Sequence, residues 1–194
     1  VLKAIVFDCF GVLTSDGWLP FAEKHFGHDA ALKQQAHDLN KQVDSGFLSY
    51  DEFVEQIAEL AHVPVTEAYA DIENNVANER LFAYIQTLKE HYKIGMLSNA
   101  GANWLHELFS PEQGALFDAV VLSFEIGTVK PDPRAYHAIC DKLGVGPEEA
   151  VFIDDIERYA TGAKDIGMHA ICYKNVDQVI ADLEALQSAL TNQS

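Results

Sequence analysis

Ala4-Ile5-Val6-Phe7-Asp8-Cys9-Phe10-Gly11 decides how the rest of the chain is read. Its four leading apolar residues are too few for a helix and do not alternate with polar ones. Continuous apolarity marks a strand buried on both faces, as in a parallel sheet. An acid at the carboxyl end of such a strand lies where α/β sheets bind their ligands.

Outward from this stretch, the chain changes character twice. Residues from about 15 to 85 read as helical, with no convincing strand. Ser49-Tyr50-Asp51-Glu52 is a capping box, with Phe53, Ile57, Leu60 and Ala61 on one helical face behind it. Gly46 is expected to end the preceding helix and Pro64 to end this one. From Tyr92 onward, strands at 93–97, 119–122, 150–153 and 170–173 alternate with helices at 102–109, 157–166 and 176–190. Another helix opens at Asp132-Pro133, an N-cap followed by a proline at the first helical position. This alternation predicts an α/β fold, a Rossmann-like parallel sheet with helices on both faces. The first strand joins that sheet, so the core is 1–14 and 86–194, and 15–85 is a small helical cap inserted after strand one.

The chain has 194 residues, 48% apolar and 22% charged, enough for one core plus an insertion. Thirteen Lys and Arg face 30 Asp and Glu, for a net charge of −17. That balance argues against nucleic acid, whose phosphates require a basic face, and against anionic membranes. It does not exclude an anionic substrate, because a few local cations override the global field at short range. Cys9, Cys140 and Cys172 are odd in number and show no metal-ligand spacing, so reduced thiols and a cytoplasmic location are expected. No secretory leader is read in the first residues, and no run approaches the roughly 18 apolar residues of a membrane span. The oligomer expected is a monomer or a homodimer.

Four strand ends carry polar groups: Asp8, Ser98-Asn99, the stretch from Ser123 to Lys130, and Asp154-Asp155. Taken singly, each has an ordinary reading. Asp8 would be a turn residue, Ser98 a helix N-cap, Lys130 a solvated lysine, and Asp154-Asp155 an acidic pair favoured by a helix dipole. Taken together and in order, they resemble the haloacid dehalogenase-like (HAD) hydrolase superfamily. Residues 6–13 resemble its first motif and Met96-Leu97-Ser98-Asn99 its second. Val129-Lys130-Pro131-Asp132-Pro133 resembles the third, and residues 151–155 with Thr161-Gly162-Ala163 the fourth. The nearest likeness is to small-cap sugar-phosphate phosphatases and the N-terminal phosphatase domain of epoxide hydrolases.

The resemblance implies an enzyme, a Mg²⁺-dependent phosphomonoester hydrolase acting on a small phosphorylated metabolite. It makes Asp8 the nucleophile that forms an aspartyl-phosphate, splitting one hard hydrolysis into two steps. It implies that Asp8, the Phe10 carbonyl and Asp155 hold Mg²⁺, with Asp154 supporting through water. Lys130 would neutralise Asp8 and the phosphoryl group, and Ser98 would donate its hydroxyl to phosphate beside the Asn99 N–H. Gly11 would let the backbone approach the phosphate closely.

The pattern is broken at one position. The phosphatases carry a second Asp two residues after the nucleophile, where this chain has Phe10. General acid–base catalysis contributes about 10²–10⁴-fold, and Phe10 cannot supply it. The 2-haloacid dehalogenases of the superfamily also carry an aromatic residue there, which makes dehalogenation one alternative. They use a cap arginine, however, and no arginine lies between residues 15 and 79. They also lack the acidic pair. A catalytically impaired binding module is the other alternative. Cap residues expected to face the site are Asp16, Trp18, Phe21, His25, Phe47 and Tyr50, with His25 a candidate for the missing acid. Arg158 and Tyr159 have no physical account from sequence.

Overall fold

The computed structural model describes residues 1–191. The end of the expected core, 192–194, lies outside the described residues. Strand β1 (Ala4–Phe7) is buried throughout. Four helices follow, α1 (Trp18–Phe26), α2 (Ala30–Asp44), α3 (Tyr50–Ala61) and α4 (Val65–Ile72), then α5 (Glu79–Leu88). The remainder alternates: β2 (Lys93–Ser98), the one-turn helices α6 (Leu105–Leu108) and α7 (Pro111–Gly114), β3 (Ala119–Leu122), α8 (Ser123–Ile126) and α9 (Pro133–Leu143). Then come β4 (Ala150–Asp154), α10 (Glu157–Asp165), β5 (His169–Cys172) and α11 (Val176–Thr191).

The five strands form one parallel sheet in the order β3-β2-β1-β4-β5. The chain builds outward from β1 on one side and then crosses to the other. The carboxyl end of β1 is therefore the topological switch point, where a crevice opens. Phe7 is level with both Met96 and Ile153, so the next residue, Asp8, leaves β1 beside Asp154. The Asp8 N–H donates to the Ile153 carbonyl at 2.9 Å.

Side-chain alternation along β1 divides the core. Ile5 and Phe7 face a cluster with α5 and α11, while Ala4 and Val6 face one with α9 and α10. A third cluster lies within the insertion, where Phe21, Phe26, Val43, Phe53, Ile57 and Ala68 pack together. Helix α5 departs from the expected boundary at 85. Its Leu81, Phe82 and Ile85 join the sheet cluster, because Asn78 caps α5 and clasps the Val12 and Leu13 carbonyls beside β1. A narrow neck carries the chain in and out of the bundle. The Ser15 N–H donates to the Val76 carbonyl at 2.9 Å, and the Val76 N–H donates to Ser15 Oγ at 2.8 Å.

Two local expectations change. The capping box at Ser49 and Glu52 opens α3, but His62, left-handed at φ 56°, stops that helix before Pro64, which instead starts α4. The helix expected over 102–109 contracts to the single turn α6. Asn103 Oδ1 accepts from the Leu105 N–H at 3.2 Å, so residues 99–104 stay a loop that carries Trp104 towards Phe10. Among the described residues, no helix is long and apolar enough to cross a membrane.

Candidate active site

Asp8, Lys130 and Asp154 meet at the switch point. Lys130 Nζ donates to Asp8 Oδ1 at 2.7 Å and to Asp154 Oδ2 at 2.6 Å, with the lysine side chain 1% exposed. An ammonium this deep is disfavoured by burial, but Asp154 and Asp8 outweigh that and raise its pKa. Burial pushes the Asp8 carboxyl up while the Lys130 ammonium pulls it down. Asp154 is fully engaged, since its second oxygen accepts from the Ile156 N–H at 2.8 Å.

Asp155 completes an acidic cluster. One oxygen each from Asp8, Asp154 and Asp155 lie within 4.8 Å of one another. Asp155 Oδ1 is buried with no hydrogen-bond partner among the described residues, and its carboxyl is raised by burial and then by Asp154. Lys130 faces three carboxylates with a single charge. Hard oxygen donors, an excess of negative charge and an orphaned buried oxygen form a donor set that fits a divalent cation such as Mg²⁺. Gly11 is what allows it. At φ +88°, a Cβ there would lie 2.5 Å from Asp155 Oδ2. Its missing side chain thus makes room for this carboxylate, a tighter role than the approach to phosphate expected from sequence.

The remaining predicted residues surround this centre. Ser98 ends β2, fully buried, and its hydroxyl makes a long 3.4 Å contact to the Asn99 carbonyl. The resemblance gives Asn99 a role through its backbone N–H, and its side chain has a further one. That side chain clasps the Lys130 backbone, accepting from the Lys130 N–H at 2.8 Å and donating to the Lys130 carbonyl at 3.3 Å. Cys9 is buried, and burial followed by the Asp8 charge pushes its thiol up, so it is unreactive.

Arg158 and Tyr159 acquire a physical role. The Tyr159 ring lies 5.0 Å from Lys130 Nζ and 4.8 Å from the Arg158 guanidinium. The Tyr159 hydroxyl accepts from Arg158 at 3.0 Å and from Asn99 Nδ2 at 3.4 Å. With Phe152 at 5.1 Å on the same ammonium, two rings and an amide fix where Lys130 points. Nothing in the sequence spacing signals this, because Asn99, Lys130 and Tyr159 meet only through the sheet.

Of the insertion residues, Tyr50 reaches the core: its ring packs on Trp104 at 4.7 Å, and Trp104 packs on Phe10 at 5.8 Å. Phe10 is thereby held edge-on by an aromatic neighbour. Phe21 is buried inside the bundle and His25 packs on it at 4.4 Å, while Phe47 is exposed to solvent. Asp16 stays near the site, raised by burial and holding the Leu19 N–H at 3.1 Å. Sequence reasoning missed Asp44, the last residue of α2. The available signal was an acid at a helix C-terminus, where the dipole disfavours negative charge.

A family model described as haloacid dehalogenase-like hydrolase matches residues 2–167. Phosphatase MT3486 of Mycobacterium tuberculosis is 29% identical over 97% of both chains. Bifunctional epoxide hydrolase 2 of Sus scrofa is 24% identical over 94% of this chain, which spans only 38% of that larger protein. The solved structure of a predicted HAD-like family hydrolase from Porphyromonas gingivalis superposes with a TM-score of 0.74 at 26% identity, covering 96% of this chain and 98% of that one. The acid at the switch point, its lysine and the paired acids after β4 are thus accompanied by likeness along nearly the whole chain, which belongs to the haloacid dehalogenase-like hydrolase family.

Proposed function

We propose that this hydrolase cleaves small phosphomonoesters, such as sugar phosphates, through an aspartyl-phosphate on Asp8. The observation that carries the reading is Lys130 Nζ held between Asp8 and Asp154 beside the orphaned oxygen of Asp155. A dianionic phosphoryl group and a carboxylate repel, and Lys130 brings positive charge to the place where they must meet. Asp8, the Phe10 carbonyl and Asp155 would hold Mg²⁺, with Asp154 supporting it, and the ion would supply Lewis-acid neutralisation of phosphoryl charge. Asp8 attacks phosphorus, and Lys130 keeps that carboxylate compensated. Ser98 and the Asn99 N–H offer hydrogen bonds to phosphoryl oxygens. The helical insertion serves as the cap that closes over the site and selects the leaving group. The likeness to a mycobacterial phosphatase over 97% of both chains supports this reading.

The test uses p-nitrophenyl phosphate with Mg²⁺, with EDTA, and beside Asp8→Asn. Turnover that requires Mg²⁺ and disappears in Asp8→Asn is expected. No turnover in Mg²⁺, with halide released from 2-chloropropionate without metal, would replace this reading by dehalogenation.

A further inference from the structure

Phe10 stands where the proton donor of the phosphatase pattern would be, yet an alcohol leaving group still requires a proton. We infer that Asp44, carried by the insertion, protonates the leaving-group oxygen and later deprotonates the attacking water. This inference rests on the phosphatase reading above.

The argument begins with how Asp44 is anchored. It is the last residue of α2, and its backbone carbonyl accepts a hydrogen bond from Ser123 Oγ at the end of β3. Ser123 Oγ in turn accepts from the Ala100 N–H at 2.9 Å, in the loop after β2. On either side of Asp44 the bundle touches the core closely. A Cβ on Gly101 would lie 2.3 Å from Val43 Cγ2, and one on Gly46 would lie 2.9 Å from the Phe124 carbonyl oxygen. The end of α2 is therefore fixed against the strand ends that carry Ser98 and lead to Lys130.

The chemistry of the group fits the role. Asn40 Nδ2 donates to Asp44 Oδ2 at 2.9 Å and orients the carboxyl. Burial is the main influence on this half-buried group. Lys130 pulls it down, Asp16 pushes it up, and the result is about 7. Those are the charged groups acting on it. Among the described residues, α1, α3 and α8, which pack on α2, add none. Such a carboxyl holds its proton near neutral pH and releases it readily, as a general acid must.

The steps balance. In the first, an Asp8 oxygen forms a bond to phosphorus as the bond from phosphorus to the leaving oxygen breaks. That oxygen takes the electron pair and the Asp44 proton and departs as the alcohol. In the second, water loses a proton to the Asp44 carboxylate while its oxygen bonds to phosphorus. The bond from phosphorus to Asp8 breaks, releasing inorganic phosphate and restoring both acids.

The experiment compares p-nitrophenyl phosphate, whose leaving group needs little protonation, with phenyl phosphate, whose leaving group needs more. Both are measured as kcat/KM in wild type, Asp44→Asn and Asp44→Ala with Mg²⁺, after thermal melts show that each is folded. Asp44→Asn should lower kcat/KM for phenyl phosphate by about 10²-fold or more, and for p-nitrophenyl phosphate by less than about tenfold. In wild type alone, phenyl phosphate hydrolysis should fall as pH rises through about 7, while p-nitrophenyl phosphate hydrolysis should not. Equal losses on the two esters, or the same pH profile for both, would overturn the role of Asp44 and leave the phosphatase reading standing. Absence of any Mg²⁺-dependent turnover in wild type would overturn both.

Discussion

Lys130 holds two buried carboxylates together, and its removal has a cost that can be anticipated. Breaking a buried ion pair by deleting one partner costs about 3–5 kcal/mol, because the other charge stays buried without compensation. Lys130→Met should therefore destabilise the protein by about that amount in urea unfolding at pH 7. Burial raises the Asp8 carboxyl, so without the ammonium Asp8 takes up a proton as pH is lowered and the loss shrinks. A variant as stable as wild type at pH 7 would mean that the lysine is not what keeps this cluster tolerable. Asn99 and Tyr159 act one step away, fixing the backbone and the ammonium of the same residue.

At the scale of elements, the contact between the end of α2 and the core is set by two glycines and one serine. Gly101→Ala would drive a methyl group into Val43, which lies at 2.3 Å from that position. Overpacking of this kind costs about 1–3 kcal/mol unless the elements separate, and separation here lifts the end of α2 from the site. Gly101→Ala should lower kcat/KM for phenyl phosphate, and the added Val43→Ala should restore much of it. Failure of that rescue in steady-state kinetics would show that the two side chains are not coupled. The elements themselves were largely legible in advance. The continuous apolar runs of β1 and β4 admit little but buried parallel strands, and the capping box of α3 states its own beginning. The end of the insertion was less legible. Leu81, Phe82 and Ile85 form an apolar helical stripe that would suit a bundle or a sheet equally, and only the clasp of Asn78 on the first loop decides. Asp8, Lys130 and the paired acids were legible because together and in order they resemble the motifs of a known family. Asp44 and Tyr159 were not, because helices α2 and α10 bring them in from the sides, at distances no spacing rule encodes.

Over the whole molecule, a net charge of −17 acts on any phosphorylated substrate before it reaches Lys130. The field repels an approaching dianion, and salt weakens repulsion beyond a Debye length of about 10 Å at 0.1 M. At fixed Mg²⁺, kcat/KM should therefore rise with added NaCl over the low-salt range, the reverse of an electrostatically steered enzyme. A fall with salt would point to a local positive funnel that dominates the total charge. The neck at Ser15 and Val76 bears on a different matter, inheritance. The chain enters and leaves the bundle through two neighbouring residues joined by a pair of hydrogen bonds. A contiguous segment of another size can thus be inherited between these two positions without altering one strand register, because the chain crosses between sheet and bundle at that one paired point.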